Sequence, residues 1–581
     1  MFHQQNLRPQ NGLIRAPPLP CCLMLGTSEV LRRSGAGRSS GRGGAADPVC
    51  RRRRCAVSCT ARHTVRHSPT ALPPVTATAT PHPREVLSRG EQRFERLRNR
   101  AGFVVAPLVF AALLLAPMEG LKPEAHRLAA VMAAVVVLWI TEALPMPATA
   151  LLGAAACVVL RVAPAKEVFA PFADPLIFLF IGSFILARAI FLHALDRRVA
   201  FAVLTIPWIG GRPARVLLAF GAVTAALSAW MSNTATTAMM FGIGMSILGV
   251  MHGTAAGGSE IDPRYATGLM LMTSFAASIG GLATPIGTPP NVIGIGFIRT
   301  LLKVEVTFFE WMSVGVPVVL VLFAALYLYL NWLSPAGVST LGEGAELIRR
   351  ERASLGPWTR GQRSVAIAFG VTAALWVVPG VFALVVGEAS PVYREMNARV
   401  PEAVAALIGA FLLFVLPGSA PGEKAIDWEQ AVRIDWGVIL LYGGGFALGV
   451  LSFNTGLAES VGRGITHLLP LHGDFGLLVA SVIVAVLVSE TTSNTASANM
   501  VVPVVISIAT AAGVDPLAPA LGATMAASLG FMLPVSTPCN AIVYGSGYVP
   551  LMRMVRYGLI LDVIGVVVIV AAVSILAPVL R

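Results

Sequence analysis

Two short segments of the chain present serine, asparagine and threonine in the same order. Ser228-x3-Ser232-Asn233-Thr234-Ala235-Thr236 returns as Ser489-x3-Ser493-Asn494-Thr495-Ala496-Ser497, 261 positions on. A second pair follows each: Ala276-Ala277-Ser278…Thr288-Pro289-Pro290-Asn291 and Ala526-Ala527-Ser528…Thr537-Pro538-Cys539-Asn540. Their side chains are hydroxyls and carboxamides, and the Gly and Pro around them free backbone N–H and C=O groups from helical pairing. Such oxygens are ligands for a hard cation, and sodium suits them. The N–H groups at a helix start, with hydroxyl donors, can hold a small anion. No Lys or Arg lies within 216–251, 266–298, 474–512 or 517–548. A co-bound cation would therefore supply the positive charge that an anion needs.

Proton coupling asks for a carboxylate inside the membrane. Near the second motif the candidates are Glu490 and Asp515, apart from Asp474 further upstream; the first motif has Ala229 where the second has Glu490. No symmetric proton pair exists, so sodium is the expected ion, and Glu490 reads as a structural acid bonded to nearby backbone. An enzyme buried in the membrane would need a nucleophile with its base, or a metal cluster. The body histidines His126, His193, His252, His467 and His472 form no HExxH, and Gly545-Ser546-Gly547 is not a nucleophile elbow. The expected function is transport.

The elements that must position these groups are apolar. The chain of 581 residues is 55% hydrophobic and 13% charged, with a mean hydropathy of +0.74, half the charge of a typical soluble domain at about 25%. Lipid is its solvent. Residues 1–100 hold 18 Lys+Arg against 5 Asp+Glu, and 101–581 hold 25 against 25, so the basic balance belongs to the N-terminal tail and the body is no nucleic-acid binder. Apolar blocks run over 103–117, 125–144, 147–160, 175–195, 216–251, 266–298, 311–333, 365–387, 402–416, 436–453, 474–512, 517–548 and 557–580. Four of these, 216–251, 266–298, 474–512 and 517–548, exceed one crossing and are interrupted by polar residues, Gly or Pro. The Ser-Asn-Thr pair reads as two re-entrant hairpin tips, and the Thr-Pro-x-Asn pair as two broken helices, since irregular backbone at membrane depth survives only under cover of protein or water. Paired interruptions in corresponding places point to a transporter's binding site.

The fold class is thus an all-α polytopic membrane protein, with a first membrane half over 100–333, a cytoplasmic loop over 334–364 and a second half over 365–581. Arg349, Arg350, Arg352, Arg360 and Arg363, with Arg197–Arg198, Arg212–Arg215 and Arg553–Arg556, mark the cytoplasmic face. The N-terminus falls inside, and an odd number of crossings between the hairpins makes the two repeats inverted. Residues 1–95, rich in Arg, Ser, Pro, Thr and Gly, read as a disordered basic tail. A non-functional extension, a transit peptide or an arm on anionic lipid would each suit it. Cys50, Cys55 and Cys59 lack the partner pair of a zinc site, and the two body cysteines, Cys157 and Cys539, offer no disulfide framework.

These residues resemble the divalent-anion:sodium symporter family. The resemblance covers about 100–580 and includes Trp139-Ile-Thr-Glu142-Ala-Leu-Pro145-Met-Pro-Ala-Thr-Ala, both Ser-Asn-Thr tips and Trp436-Gly…Tyr442-Gly443-Gly444-Gly445. It implies eleven membrane helices and two re-entrant hairpins per protomer, a homodimer held by a scaffold domain, and a transport domain that moves like an elevator. It further implies one sodium site at Ser228, Ser232, Asn233 and Gly287 and another at Ser489, Thr492, Asn494 and Ser536. Substrate carboxylates would lie among Ser232, Asn233, Thr234, Ser493, Asn494 and Thr495, with Thr288, Thr537 and Pro538 closing the pocket. Sodium-coupled uptake of C4-dicarboxylates across the cell membrane is the expected function. Sulfate or tricarboxylate symport and dicarboxylate exchange are the alternatives in the same fold. Cys539 departs from a common second Pro, and Ser536 and Thr492 stand where Ala is frequent.

Overall fold

The interruptions seen in the sequence govern the architecture. The computed structural model describes residues 89–581 apart from Glu119, Gly210, 254–261, Glu388, 469–472 and Arg581. The expected disordered tail lies outside the described residues as far as 88, and residues 89–95 form the first turns of the helix Arg89–Leu115. Among the described residues the chain is helical, with one isolated bridge, Pro417 to Lys424, as its only β pairing. Ten helices among the described residues are long and apolar enough to cross a bilayer, eleven if the bent pair Pro391–Arg399 and Glu402–Val415, at 52°, counts as one.

Each of the four long blocks breaks where its polar residues lie. The first hairpin has arms Pro213–Ser228 and Asn233–Gly253, and the second has arms Asp474–Thr491 and Asn494–Ala511. The arm Pro213–Ser228, of 16 residues, reaches only about 24 Å, short of a ~30 Å hydrocarbon core, whereas Asp474–Thr491 and Asn494–Ala511 are counted among the ten. The first broken helix runs Pro263–Gly280, then a 3₁₀ turn Gly281–Ala283, then Pro289–Phe297 after the Thr-Pro break. The second runs Leu517–Ala526 and resumes at Pro538–Tyr544. In both, Pro occupies the first helical position, where its missing N–H costs nothing.

Elsewhere the helices extend past the apolar blocks because polar residues cap them. Thr307 with Glu310, and Thr359 with Gln362, form capping boxes that start Phe308–Leu333 and Arg360–Val386. The expected loop 334–364 contains a charged helix, Gly342–Ser354. Two apolar blocks yield helices of only 14 residues, Met146–Val159 and Glu402–Val415.

The packing crosses between the halves. Asn233–Gly253 lies against Pro538–Tyr544, and Asn494–Ala511 lies against Pro289–Phe297. Every residue of Tyr265–Gly280 is buried, so Thr267, Ser274 and Ser278 on one face and Thr273 on another are all kept from lipid. Leu551–Leu576 packs on Asp474–Thr491 and Leu517–Ala526 of the second half and on Phe308–Leu333 of the first. Trp230 anchors the first tip: it stacks on Phe308 with centroids 6.1 Å apart and meets Phe369 edge-on at 5.3 Å. Large apolar side chains face outward on the peripheral helices, among them Leu328, Leu384, Phe411 and Val567, as a lipid solvent requires.

Candidate functional site

The two halves make the same hydrogen bonds at the same sequence offsets. In the first, Asn291 Nδ2 donates to Gly281 O at 2.9 Å and Thr284 O at 2.8 Å. In the second, Asn540 Nδ2 donates to Gly530 O and Leu533 O, both at 2.9 Å. Each asparagine bonds ten and seven residues back, which folds the break into a tight loop over the adjoining hairpin tip. The first loop is also tied by Thr284 Oγ1 to Ala229 O and by Trp311 Nε1 to Leu282 O at 3.0 Å.

Under these loops the tip asparagines meet a serine five residues earlier. The inward atom of the Asn233 amide lies 2.6 Å from Ser228 Oγ, 3.1 Å from Gly287 O and 3.2 Å from Ala277 O. With Nδ2 inward, the amide donates to these oxygens. Its three neighbours are oxygens from chain positions 228, 277 and 287, the kind of ligand that a hard monovalent cation takes. Close backbone approach makes this possible: a Cβ on Gly281 would sit 2.5 Å from Asn233 Oδ1, and one on Gly287 would sit 2.5 Å from Gly281 O.

The second tip repeats the arrangement. Ser489 Oγ donates to Asn494 Oδ1 at 2.9 Å, with Ala527 O also at 2.8 Å, and Asn494 Nδ2 reaches Ser528 O at 3.4 Å. Ser493 caps Asn494–Ala511, accepting from Ala496 N, and its hydroxyl donates to Met146 Sδ at 3.1 Å. The Trp139-to-Ala150 stretch therefore touches the second tip. Thr492 and Ser536 are buried, but their hydroxyls are directed elsewhere. Thr492 Oγ1 donates to Val488 O at 2.7 Å, and Ser536 Oγ lies 3.0 Å from Glu490 O and 2.6 Å from Glu490 Oε2.

The crossing point joins the repeats. Ser274 Oγ donates to Asn540 Oδ1 at 2.6 Å. Cys539 is buried with Thr234 and Thr237 of the first hairpin, Ser278 of the first broken helix and Thr537 beside its thiol, and the hydroxyls of Thr237 and Ser278 have no hydrogen-bond partner. So Thr234 and Thr537, read from sequence as parts of one pocket, do meet around a thiol. Thr288 and Thr537 are buried at the starts of Pro289–Phe297 and Pro538–Tyr544. Ser232 and Pro538 are exposed, and Asn233, Thr234, Ser493, Asn494 and Thr495 are half-buried. Gly281, Ala277 O and Gly530, which complete the two cages, escaped the sequence reading because glycines and carbonyls carry no side-chain signal.

One acid was also missed. Glu490 was read with Asp474 and Asp515 as its only neighbouring candidates. Yet Asp515 sits in the turn before Leu517, accepting its N–H at 3.2 Å, and the carboxyl beside Glu490 is Asp562 of the last membrane helix. That helix reads as a uniform apolar span; the lone Asp in it was the available signal.

Residues 98–580 match the family described as the sodium:sulfate symporter transmembrane region. The chain belongs to this family of divalent-anion:sodium symporters. A sodium-dependent dicarboxylate transporter of Staphylococcus saprophyticus is 33% identical over 499 residues, covering 84% of this chain and 94% of that protein. One from a bovine strain of Staphylococcus aureus is 32% identical over 486 residues, covering 82% and 91%. Among solved structures, MtrF of Neisseria gonorrhoeae, described within a class of antimetabolite efflux pumps, aligns with a TM-score of 0.50 at 12% identity over 80% of this chain and 96% of that one. At that identity the likeness concerns the fold alone. In this symporter the hairpin tips and the helix breaks recur in both halves at matching offsets.

Proposed function

We propose that the protein is a secondary transporter that takes up C4-dicarboxylates such as succinate, malate or fumarate together with sodium. The observation that carries this is the pair of oxygen cages, Ser228–Asn233 with Ala277 O and Gly287 O, and Ser489–Asn494 with Ala527 O and Ser528 O. The dicarboxylate assignment is supported by the relatives from the two staphylococci. Sodium bound at each cage fixes the amide orientation of Asn233 or Asn494 and orders the tip. The substrate carboxylates then bind hydroxyls and helix-start N–H groups of Ser232-Asn233-Thr234 and Ser493-Asn494-Thr495, beneath Thr288, Thr537 and Pro538. Because the anion has no fixed Lys or Arg partner at the tips, its binding depends on the ions, which is coupling in physical terms.

In this reading the repeats are inverted, and the hairpins and broken helices travel as one body against a dimeric scaffold. The N-terminus lies in the cytoplasm, and the protein resides in the cell membrane. The charge pattern and the crosswise packing of each hairpin on the other half's broken helix support it. The substrate is carried without covalent change.

The test is uptake of labelled succinate into proteoliposomes with and without an inward sodium gradient, with sulfate and citrate as competitors. Gradient-driven uptake that unlabelled succinate suppresses and sulfate does not is the expected result. Sodium-independent exchange, or suppression by sulfate or citrate alone, would overturn the substrate or the coupling.

A further inference from the structure

Arg299 ties the first broken helix to helices outside the hairpins. It sits in the π-helical turn Ile298–Leu302 that continues Pro289–Phe297. Its Nη2 lies 2.7 Å from Asp174 Oδ1 and 2.5 Å from Asp174 Oδ2, and the two side chains are only 21% and 11% exposed. Asp174 caps Pro175–Leu192, accepting from Leu176 N at 2.9 Å. Tyr442 of Trp436–Asn454, fully buried, donates its hydroxyl to Asp174 Oδ1 at 3.2 Å. One carboxylate thus holds a guanidinium, a phenol and a helix start.

Around this cluster the contact is close and apolar. A Cβ on Gly296 would sit 2.5 Å from the Tyr442 hydroxyl, and one on Gly449 would sit 2.3 Å from the Phe297 ring. The rings of Phe297 and Phe446 lie 5.2 Å apart. Glycines and aromatic faces can slide past one another without losing hydrogen bonds. A half-buried guanidinium and carboxylate cannot, because each is costly to leave unpaired. The cluster stands at the end of Pro175–Leu192 remote from Arg197 and Arg198, which the charge pattern places at the cytoplasm. On the Arg197 side a cavity of about 550 Å³ lies between Ala238, Gly242 and Ser246 of the hairpin arm and Arg197 and Glu351. The hairpin and its broken helix are therefore tied at one end and loose at the other.

We propose that Arg299 and Asp174, with the Tyr442 hydroxyl, form a latch that holds the transporter open to the cytoplasm and must part before the site faces outside. The proposal rests on the reading above, in which the hairpins and broken helices travel as one body past the other helices. Each cycle breaks the ion pair and remakes it. The apparent affinity for outside substrate is the intrinsic one reduced by the fraction of protein that faces outside. Weakening the latch raises that fraction, so substrate binds from outside more tightly, whereas general damage to the fold weakens binding.

The test uses cells expressing the full chain, with outside sodium saturating. Asp174→Asn keeps a good helix cap and loses the charge; Arg299→Gln removes the other partner. Each should lower the half-saturating outside succinate concentration about tenfold, and the double substitution no further. Tyr442→Phe should lower it about threefold and stands in if the charge variants fail to insert. An unchanged or raised half-saturation in inserted protein, or additive effects of the two charge changes, would overturn the latch. A second measurement needs no substrate: the distance between spin labels at Gly242 and at Leu384 of Arg360–Val386, in full chain with its tail cysteines replaced by serine. In Arg299→Gln a second distance should gain about tenfold in population over the wild-type one, and an unshifted distribution would equally overturn the proposal. Absence of any sodium-driven uptake by the wild type would instead sink the transport reading, while the label distances still judge the latch.

Discussion

Gly281→Ala tests the first cage without touching an ion ligand's own side chain. Gly281 has φ −58° and ψ −22°, a conformation any residue adopts, so alanine adds no backbone strain. Its methyl would sit 2.5 Å from Asn233 Oδ1, 2.9 Å from Nδ2 and 3.1 Å from Cγ, against ordinary contacts of 3.4 Å or more. The amide must therefore retreat by about 0.9 Å whichever way it is turned. A hard cation holds oxygen ligands at about 2.3–2.6 Å, so a shift of that size takes Asn233 out of coordination. Displacing a ligand through its neighbour typically weakens metal binding about 10–100-fold, about 1.4–2.7 kcal/mol. The half-saturating sodium concentration for succinate uptake in proteoliposomes should rise by that factor. Gly530→Ala is the matched control, because its methyl would meet Asn494 Oδ1 at 3.2 Å and Ser489 Oγ at 3.3 Å. A relaxation of a few tenths of an ångström suffices there, and sodium dependence should change less than about threefold. A folded Gly281→Ala protein with wild-type sodium dependence, or equal effects at the two glycines, would refute the cage geometry.

Asn233→Ala and Asn494→Ala should each abolish uptake while the protein elutes as a folded species on size exclusion; retained sodium-driven uptake in both would remove the site. Asp196, on the helix Leu195–Leu204 outside the spans, is 2% exposed and faces a cavity of about 550 Å³ shared with Arg197 and Glu351. Burial raises its pKa from 3.8 to about 6, opposed by the Arg197 N–H and charge. The folded state thus favours the protonated acid, so the stability it lends is full below about pH 4 and is lost as pH rises through about 6. Thermal unfolding of detergent-purified protein should show this decline between pH 4 and 7, and Asp196→Asn should flatten it. Deleting residues 1–88 should leave sodium-coupled uptake within about twofold of wild type, since the charge-balanced body holds every group assigned to the site; loss of activity in inserted, truncated protein would contradict this.

The helical breaks were legible because their physical cause is local. Ser-Asn-Thr cannot sit in lipid unpartnered, Pro289 and Pro538 remove backbone donors, and a span twice too long must turn back, so the hairpin ends at 228 and 233, and at 491 and 494, follow from composition and spacing. The repetition of both breaks also marks out Asn233 and Asn494 as candidate site residues. What the chain order could not convey is which backbone oxygens face those amides. Ala277 O and Gly287 O gather at Asn233 only because Asn291 folds the break back on Gly281. The meeting of Thr234 with Thr537 around Cys539, and of Glu490 with Asp562 across 72 positions, depends likewise on helices packing crosswise. Local chemistry dictates where a chain must bend; the partner each bend finds is set by close packing between distant segments, for which a single sequence carries no periodicity to read.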